Sequence, residues 1–163
     1  MPELQRWLAD AAATAAVGEA LGRVVEAGDV IALVGDLGAG KTGFARGLAS
    51  GAGVAADEVQ SPTFALVHEY RGRVIVAHAD LYRLEHEREL DAIGWDDVAG
   101  RRDAVVVIEW ADRFPSRLPR DHLQVTLTHG DGPDGRGLAA AATGPRSSQL
   151  LAAWTAALAP RPG

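Results

Sequence analysis

The sequence predicts a small α/β domain. Three observations carry that expectation. Apolar runs of strand length alternate with stretches of helical periodicity. The run at residues 104–109, AVVVIE, shows no polar alternation, as a strand buried on both faces of a parallel sheet requires. A glycine-rich turn, GDLGAGKT at 35–42, joins a strand-like run to a helix-like one. The length of 163 residues suits one domain over residues 1–163. Folding at this size buries about 70% of the unfolded chain's surface, enough for a core.

Each element has its own reason. Residues 11–27 are alanine-rich, with Val17, Leu21, Val24 and Val25 at helical spacing, and Gly28 is the stop. Residues 29–34, DVIALV, read as a buried strand. Residues 41–50 read as a helix that ends in SGAG. Residues 64–70 and 73–79 flank Arg71 and Gly72 as a β-hairpin. Residues 87–98, ERELDAIGWDDV, read as one helix. HLQVTLT at 122–128 alternates, and 136–143 can pair with it across the Gly/Pro/Asp loop 130–135. Residues 147–158 form a terminal helix with a serine cap and with Leu150, Leu151, Trp154 and Leu158 on one side. No element is assigned before residue 11. Trp7, Trp95 and Trp154 are read as packing residues.

Composition excludes several classes. Hydrophobic residues make up 47% of the chain, which is not a disordered composition. The net charge of −6 argues against gripping nucleic acid by a basic surface of its own, and leaves a basic partner open. Cysteine is absent, so there is neither a disulfide nor thiolate chemistry. No apolar run approaches the ~20 residues of a spanning helix, and MPELQRWLAD lacks a signal-peptide pattern. The expectation is a soluble, cytoplasmic protein with no membrane role.

The chemistry centres on residues 35–42. Lys41 is the single lysine of the chain; every other member of its 16 Lys and Arg residues is arginine. The spacing G-x-x-x-x-G-K-[ST], placed after a strand and opening a helix, is that of a phosphate-binding loop. Glycine admits backbone angles that turn several N–H groups toward one anion, and the helix start adds a positive dipole end. An ammonium on a thin stem reaches between phosphates where a planar guanidinium fork does not fit. Thr42 supplies a hydroxyl for Mg²⁺. Gly35, Asp36, Leu37, Gly38, Ala39, Gly40, Lys41 and Thr42 are therefore the expected nucleotide contacts.

Such a site also needs an acid at the end of a neighbouring buried strand, and Glu109 closes VVVIE. Aspartate is usual there. Asp80, in His78-Ala79-Asp80, is read either as an acid that positions water or as a capping aspartate. His78 is read as a packed histidine. Thr63, in the SPTF segment at 61–64, either senses the terminal phosphate, as switch loops do, or belongs to an ordinary proline turn. Trp110 either covers the nucleotide or fills the core. There is no N-K-x-D guanine-reading motif, no LSGGQ signature and no arginine-rich lid segment.

GDLGAGKT, SPTF, HADLYRL (78–84), the acidic helix with Ile93-Gly94, and IEW (108–110) occur in that order. Together they resemble the TsaE family, formerly YjeE, the ATPase of bacterial tRNA threonylcarbamoyladenosine synthesis. The resemblance spans roughly residues 8–130. It implies a P-loop NTPase-like fold with a mixed sheet flanked by helices. It implies ATP and Mg²⁺ as cofactors, with Thr42 and Glu109 holding the metal. Lys41, Asp80 and Glu109 become the catalytic set. Thr63 and Trp110 join the nucleotide contacts, with Trp110 near the nucleotide or the partner surface, and residues 10–14 lie on the adenine side. It implies the TsaB–TsaD complex as partner, with tRNA reached only through that complex for modification of adenosine 37. Gly43 departs from the second threonine common in the family. Two rival readings use the same loop: a small-molecule kinase, and a nucleotide-dependent binding module.

Overall fold

The computed structural model describes residues 3–36, 38–55, 58–59 and 66–159. The described elements are β1 (Glu3–Leu8), α1 (Ala11–Val24), β2 (Val30–Val34), α2 (Lys41–Gly51), β3 (Val67–Arg71), β4 (Ile75–Asp80), α3 (Arg88–Ala92), α4 (Trp95–Ala99), β5 (Ala104–Glu109), β6 (Leu123–His129), β7 (Arg136–Ala142) and α5 (Pro145–Leu158). The strands form one sheet in the order β1-β7-β6-β2-β5-β4-β3. The centre is parallel, β6 with β2, β2 with β5 and β5 with β4. The edges are antiparallel, with β3 on β4 and β7 between β6 and β1. The fold is thus α/β with a mixed sheet flanked by helices, as expected.

Two cores follow from the period-2 alternation of the strands. Ile31, Leu33, Val105, Val107 and Val125 meet α1, α2 and α5 on one face. Ala32, Ala79, Val106 and Ile108 meet Leu90 and Trp95 of α3 and α4 on the other. β5 is buried along its whole length, which explains its lack of alternation. Trp154 of α5 donates its indole N–H to the Val17 carbonyl at 3.0 Å and meets Phe44 edge-on at 5.9 Å. The terminal helix therefore clamps α1 and α2 together.

α1 and α2 approach backbone to backbone. A Cβ built on Gly22 would lie 1.9 Å from the Leu48 carbonyl oxygen, and one on Gly47 would lie 2.2 Å from that of Ala15. Hydrogen at these positions is what lets the helix that follows the glycine-rich loop seat so closely.

Several expectations are corrected. Residues 3–8 form an edge strand; most of its side chains face solvent, so it carries little hydrophobic periodicity. Trp7 is 56% exposed rather than packed in a core, whereas Trp95 and Trp154 are fully buried. The first helix ends at Val24, because Val25 takes extended backbone and enters the core. The stretch 87–98 is two short helices, broken where Gly94 turns left-handed at φ 70°. The last helix begins at Pro145. Its serine serves from inside, with the Ser147 hydroxyl accepting the Thr143 and Gly144 amides, while the Asp121 carboxylate accepts the amides of Arg146 and Ser147.

Candidate functional site

The parallel centre of the sheet makes β2, β4 and β5 end on one side, so whatever follows Val34, Asp80 and Glu109 converges there. β2 runs into the glycine-rich loop. Gly38 and Gly40 hold φ of 77° and 101°, a region open to glycine and costly for other residues. Gly40 then opens α2, and its carbonyl accepts the Phe44 amide at 2.9 Å. The result is a concave turn capped by a helix N-terminus, the arrangement that suits a phosphate. It forms part of a cleft of ≈ 340 Å³ lined by the loop and by Asp80, Tyr82, Glu109 and Trp110.

Lys41 is almost enclosed, at 5% exposure. Its ammonium donates to the carbonyls of Gly35 and Asp36 and lies 3.8 Å above the Trp110 ring centre. Burial lowers its pKa; the carboxylates of Glu109, Asp112, Asp36 and Asp80 oppose that fall. Trp110 reaches this place at a cost. It is the only non-glycine residue with positive φ among the described residues, at 58°. This turn, directly after Glu109, swings the indole over the lysine, and Tyr82 packs against it at 5.0 Å. Trp110 thus packs against the edge of the second core and lines the cleft at the same time.

On the metal side, the Thr42 hydroxyl donates to Glu109 Oε1 at 3.3 Å. Glu109 is buried, and its other oxygen, Oε2, meets His78 Nε2 at 2.5 Å. The donors facing the cleft are oxygens, which suit a hard cation. Among the described residues no three His, Asp or Glu side chains gather into an all-protein metal cage. A hard cation such as Mg²⁺ is bound by one or two protein oxygens together with phosphate and water oxygens. Thr42 and Glu109 are the residues that would hold it.

Asp80 sits beside Glu109 in the β4–β5 register. Its carboxylate accepts the Tyr82 amide at 3.0 Å, so it does cap a turn, and it also faces the cleft. Burial raises its pKa above the ordinary carboxylate value; the Tyr82 amide pulls it down and the Glu109 charge pushes it up.

Of the expected site residues, Gly38, Gly40, Lys41, Thr42, Asp80, Glu109 and Trp110 meet at this cleft, and Gly35, Asp36 and Ala39 complete the loop beneath it. Leu37 and Thr63 lie outside the described residues. On the adenine side expected of residues 10–14, Asp10 caps α1 through the Ala13 amide, and the Thr14 methyl packs 3.6 Å from where a Gly40 Cβ would be. Two contributors were not anticipated. His78 supports Glu109. Arg136, at the start of β7, donates to the carbonyls of Gly38 at 3.0 Å, Pro133 at 3.0 Å and Gly135 at 2.7 Å, holding the loop from outside. No local pattern marks Arg136. His78 carried a signal, since a polar residue two positions before a strand-end acid shares that acid's face.

Comparison with known proteins identifies the family of the chain. The family model described as "Threonylcarbamoyl adenosine biosynthesis protein TsaE" matches residues 8–137. A tRNA threonylcarbamoyladenosine biosynthesis protein TsaE from Nostoc sp. is 42% identical over 129 residues, covering 77% of this chain and 78% of the relative. The protein of that name from Bacillus subtilis is 37% identical over 138 residues, covering 84% of each. The crystal structure of YdiB from Bacillus subtilis superposes with a TM-score of 0.75 at 29% identity, covering 95% of both chains. With a matching family model across most of its length and relatives above a third identical, the chain belongs to the TsaE family.

Proposed function

We propose that this protein is a Mg²⁺-dependent ATPase that supports threonylcarbamoylation of adenosine 37 in tRNA by acting on a TsaB–TsaD complex. Family membership supports the tRNA-modification role. The observation that carries the nucleotide chemistry is the pairing of Lys41, at the base of a helix-capped glycine loop, with Thr42 and Glu109 in hydrogen-bond contact. The loop amides and the α2 N-terminus bind the phosphates. Lys41 leaves the Gly35 and Asp36 carbonyls to meet the terminal phosphates, and Trp110 walls that position. Asp80, which lines the cleft beside Glu109, orients the attacking water. Mg²⁺ supplies charge neutralisation across the phosphate oxygens when bound. Its need is electrostatic as well as geometric. Four carboxylates act on one lysine here, so a bare nucleotide meets repulsion that its cation removes.

The −6 charge is consistent with reaching tRNA through partners rather than by direct grip. Among the described residues no helix is long and apolar enough to cross a membrane.

The test is capture of partners on the immobilised protein with ATP, with ADP and without nucleotide, followed by reconstitution of tRNA modification. Nucleotide-dependent capture of TsaB and TsaD, with modification lost when Lys41→Ala replaces the wild type, is the expected result. Phosphate transfer to a small acceptor without protein partners would instead establish a kinase.

A further inference from the structure

His78 takes no direct part in that chemistry, yet it is placed to govern it. It sits in β4, two residues before Asp80, and pairs in register with Val107, two residues before Glu109. The parallel register therefore puts His78 and Glu109 on one face of the sheet, one step apart on the diagonal, a span that long side chains bridge. Both are buried, at 3% side-chain exposure. A carboxylate carries no hydrogen, so the 2.5 Å contact has the imidazole Nε2–H donating to Oε2. The remaining oxygen, Oε1, is the one that accepts the Thr42 hydroxyl. The Tyr70 ring, buried and 6.2 Å from the imidazole, backs His78 from the β3 side.

We propose that His78 is a positioning residue for the divalent cation: by holding Oε2 of Glu109 it turns Oε1 toward Thr42 and so presents the two protein oxygens as a pre-formed pair. The inference rests on the Mg²⁺–nucleotide reading above. Without the imidazole the carboxylate can rotate about its last bond, and a buried oxygen is left without a donor. Partners of this kind behind a ligand typically account for 10–100-fold in metal affinity. The phosphate cradle is built by the 35–42 loop and α2, which His78 does not touch among its described contacts. Its effect falls on the cation and spares the nucleotide.

The experiment measures binding rather than turnover. Mn²⁺ is titrated by electron paramagnetic resonance onto the protein saturated with ADP, and a fluorescent ADP analogue is titrated separately in EDTA. His78→Leu is expected to weaken Mn²⁺ by about tenfold or more while metal-free nucleotide affinity stays within about twofold. His78→Gln, whose amide N–H can still reach Oε2, should stay within about threefold of wild type for Mn²⁺. His78→Asn, one methylene shorter, should behave like His78→Leu. Unchanged Mn²⁺ affinity in His78→Leu overturns the proposal, as does a parallel loss of metal and metal-free nucleotide binding. If His78→Leu does not fold, the Gln and Asn variants decide, and equal Mn²⁺ affinities overturn it. A wild type that takes ADP but no Mn²⁺ overturns the underlying reading along with the inference.

Discussion

Lys41 is bonded to its own loop: its ammonium donates to the Gly35 and Asp36 carbonyls and lies over the Trp110 ring. A compact ammonium suits those contacts, and a planar guanidinium fork does not match them. Lys41→Ala should therefore lose most ATP affinity, and Lys41→Arg should lose it by about tenfold or more despite keeping the charge. Equilibrium binding checks this, and wild-type affinity in the arginine variant would refute the steric account. Asp80 makes a different prediction. Its folded pKa is raised, chiefly by burial, so the folded protein holds that proton more tightly than the unfolded chain does. The stabilisation from this group is present below the ordinary carboxylate range and is lost as pH rises through the raised value. At neutral pH the charge is a liability to the fold. Asp80→Asn should melt above wild type at neutral pH, converge with it below the carboxylate range, and turn over ATP more slowly. Melting curves across that range, with turnover at neutral pH, test both halves. Equal melting at neutral pH would show that Asp80 carries no such cost.

At the level of elements, the loop is held from two sides. α2 is seated on α1 through the glycine contacts at Gly22 and Gly47. A methyl group at Gly22 must push the Leu48 backbone aside, so Gly22→Ala should destabilise by ~3 kcal/mol although alanine is the better helix former. Thermal or urea unfolding measures this, and a neutral or stabilising effect would mean that the helices part freely. From the other side, β7 contributes the Arg136 guanidinium, which ties the Gly38 carbonyl to the 130–135 turn. Arg136→Ala removes charged hydrogen bonds of ~1.5–3 kcal/mol each from a partly exposed group, so roughly a tenfold loss of ATP affinity is expected. The melting temperature should fall as well, because the same bonds hold the 130–135 turn in the folded protein, although the sheet pairing of β7 remains. An unaltered ATP affinity in isothermal titration would remove Arg136 from the site.

For the whole molecule, Lys41 is the single basic side chain among the described residues that line the cleft. Arg113, near it in sequence, donates to the Leu84 carbonyl at 2.7 Å, and Arg83 is exposed. A transition-state charge supplied by a partner raises turnover ~10³–10⁵-fold in related systems. ATP turnover should accordingly be slow alone and rise steeply with TsaB and TsaD. Equal rates at concentrations where the complex demonstrably forms would exclude this coupling. The phosphate loop was legible because it is local: Gly38, Gly40, Lys41 and Thr42 dictate a turn, a charge and a helix start from neighbouring positions. The all-apolar β5 and the alternating β6 were legible for the same reason, since burial on two faces or one writes itself into consecutive residues. The edge strand β1 was not, because a solvent-facing strand needs no hydrophobic period. Sequence order also named Glu109 and Asp80 as acids but could not orient them. That orientation depends on the β4–β5 register, which sets His78 behind Glu109 and Thr42 in front of it. Arg136 lies 98 residues from Gly38 in the chain, and they meet because the β6–β7 hairpin is laid beside β2. Contacts at such separations are settled by which strands pair and in what register, a property of the assembled sheet that no local run of residues carries.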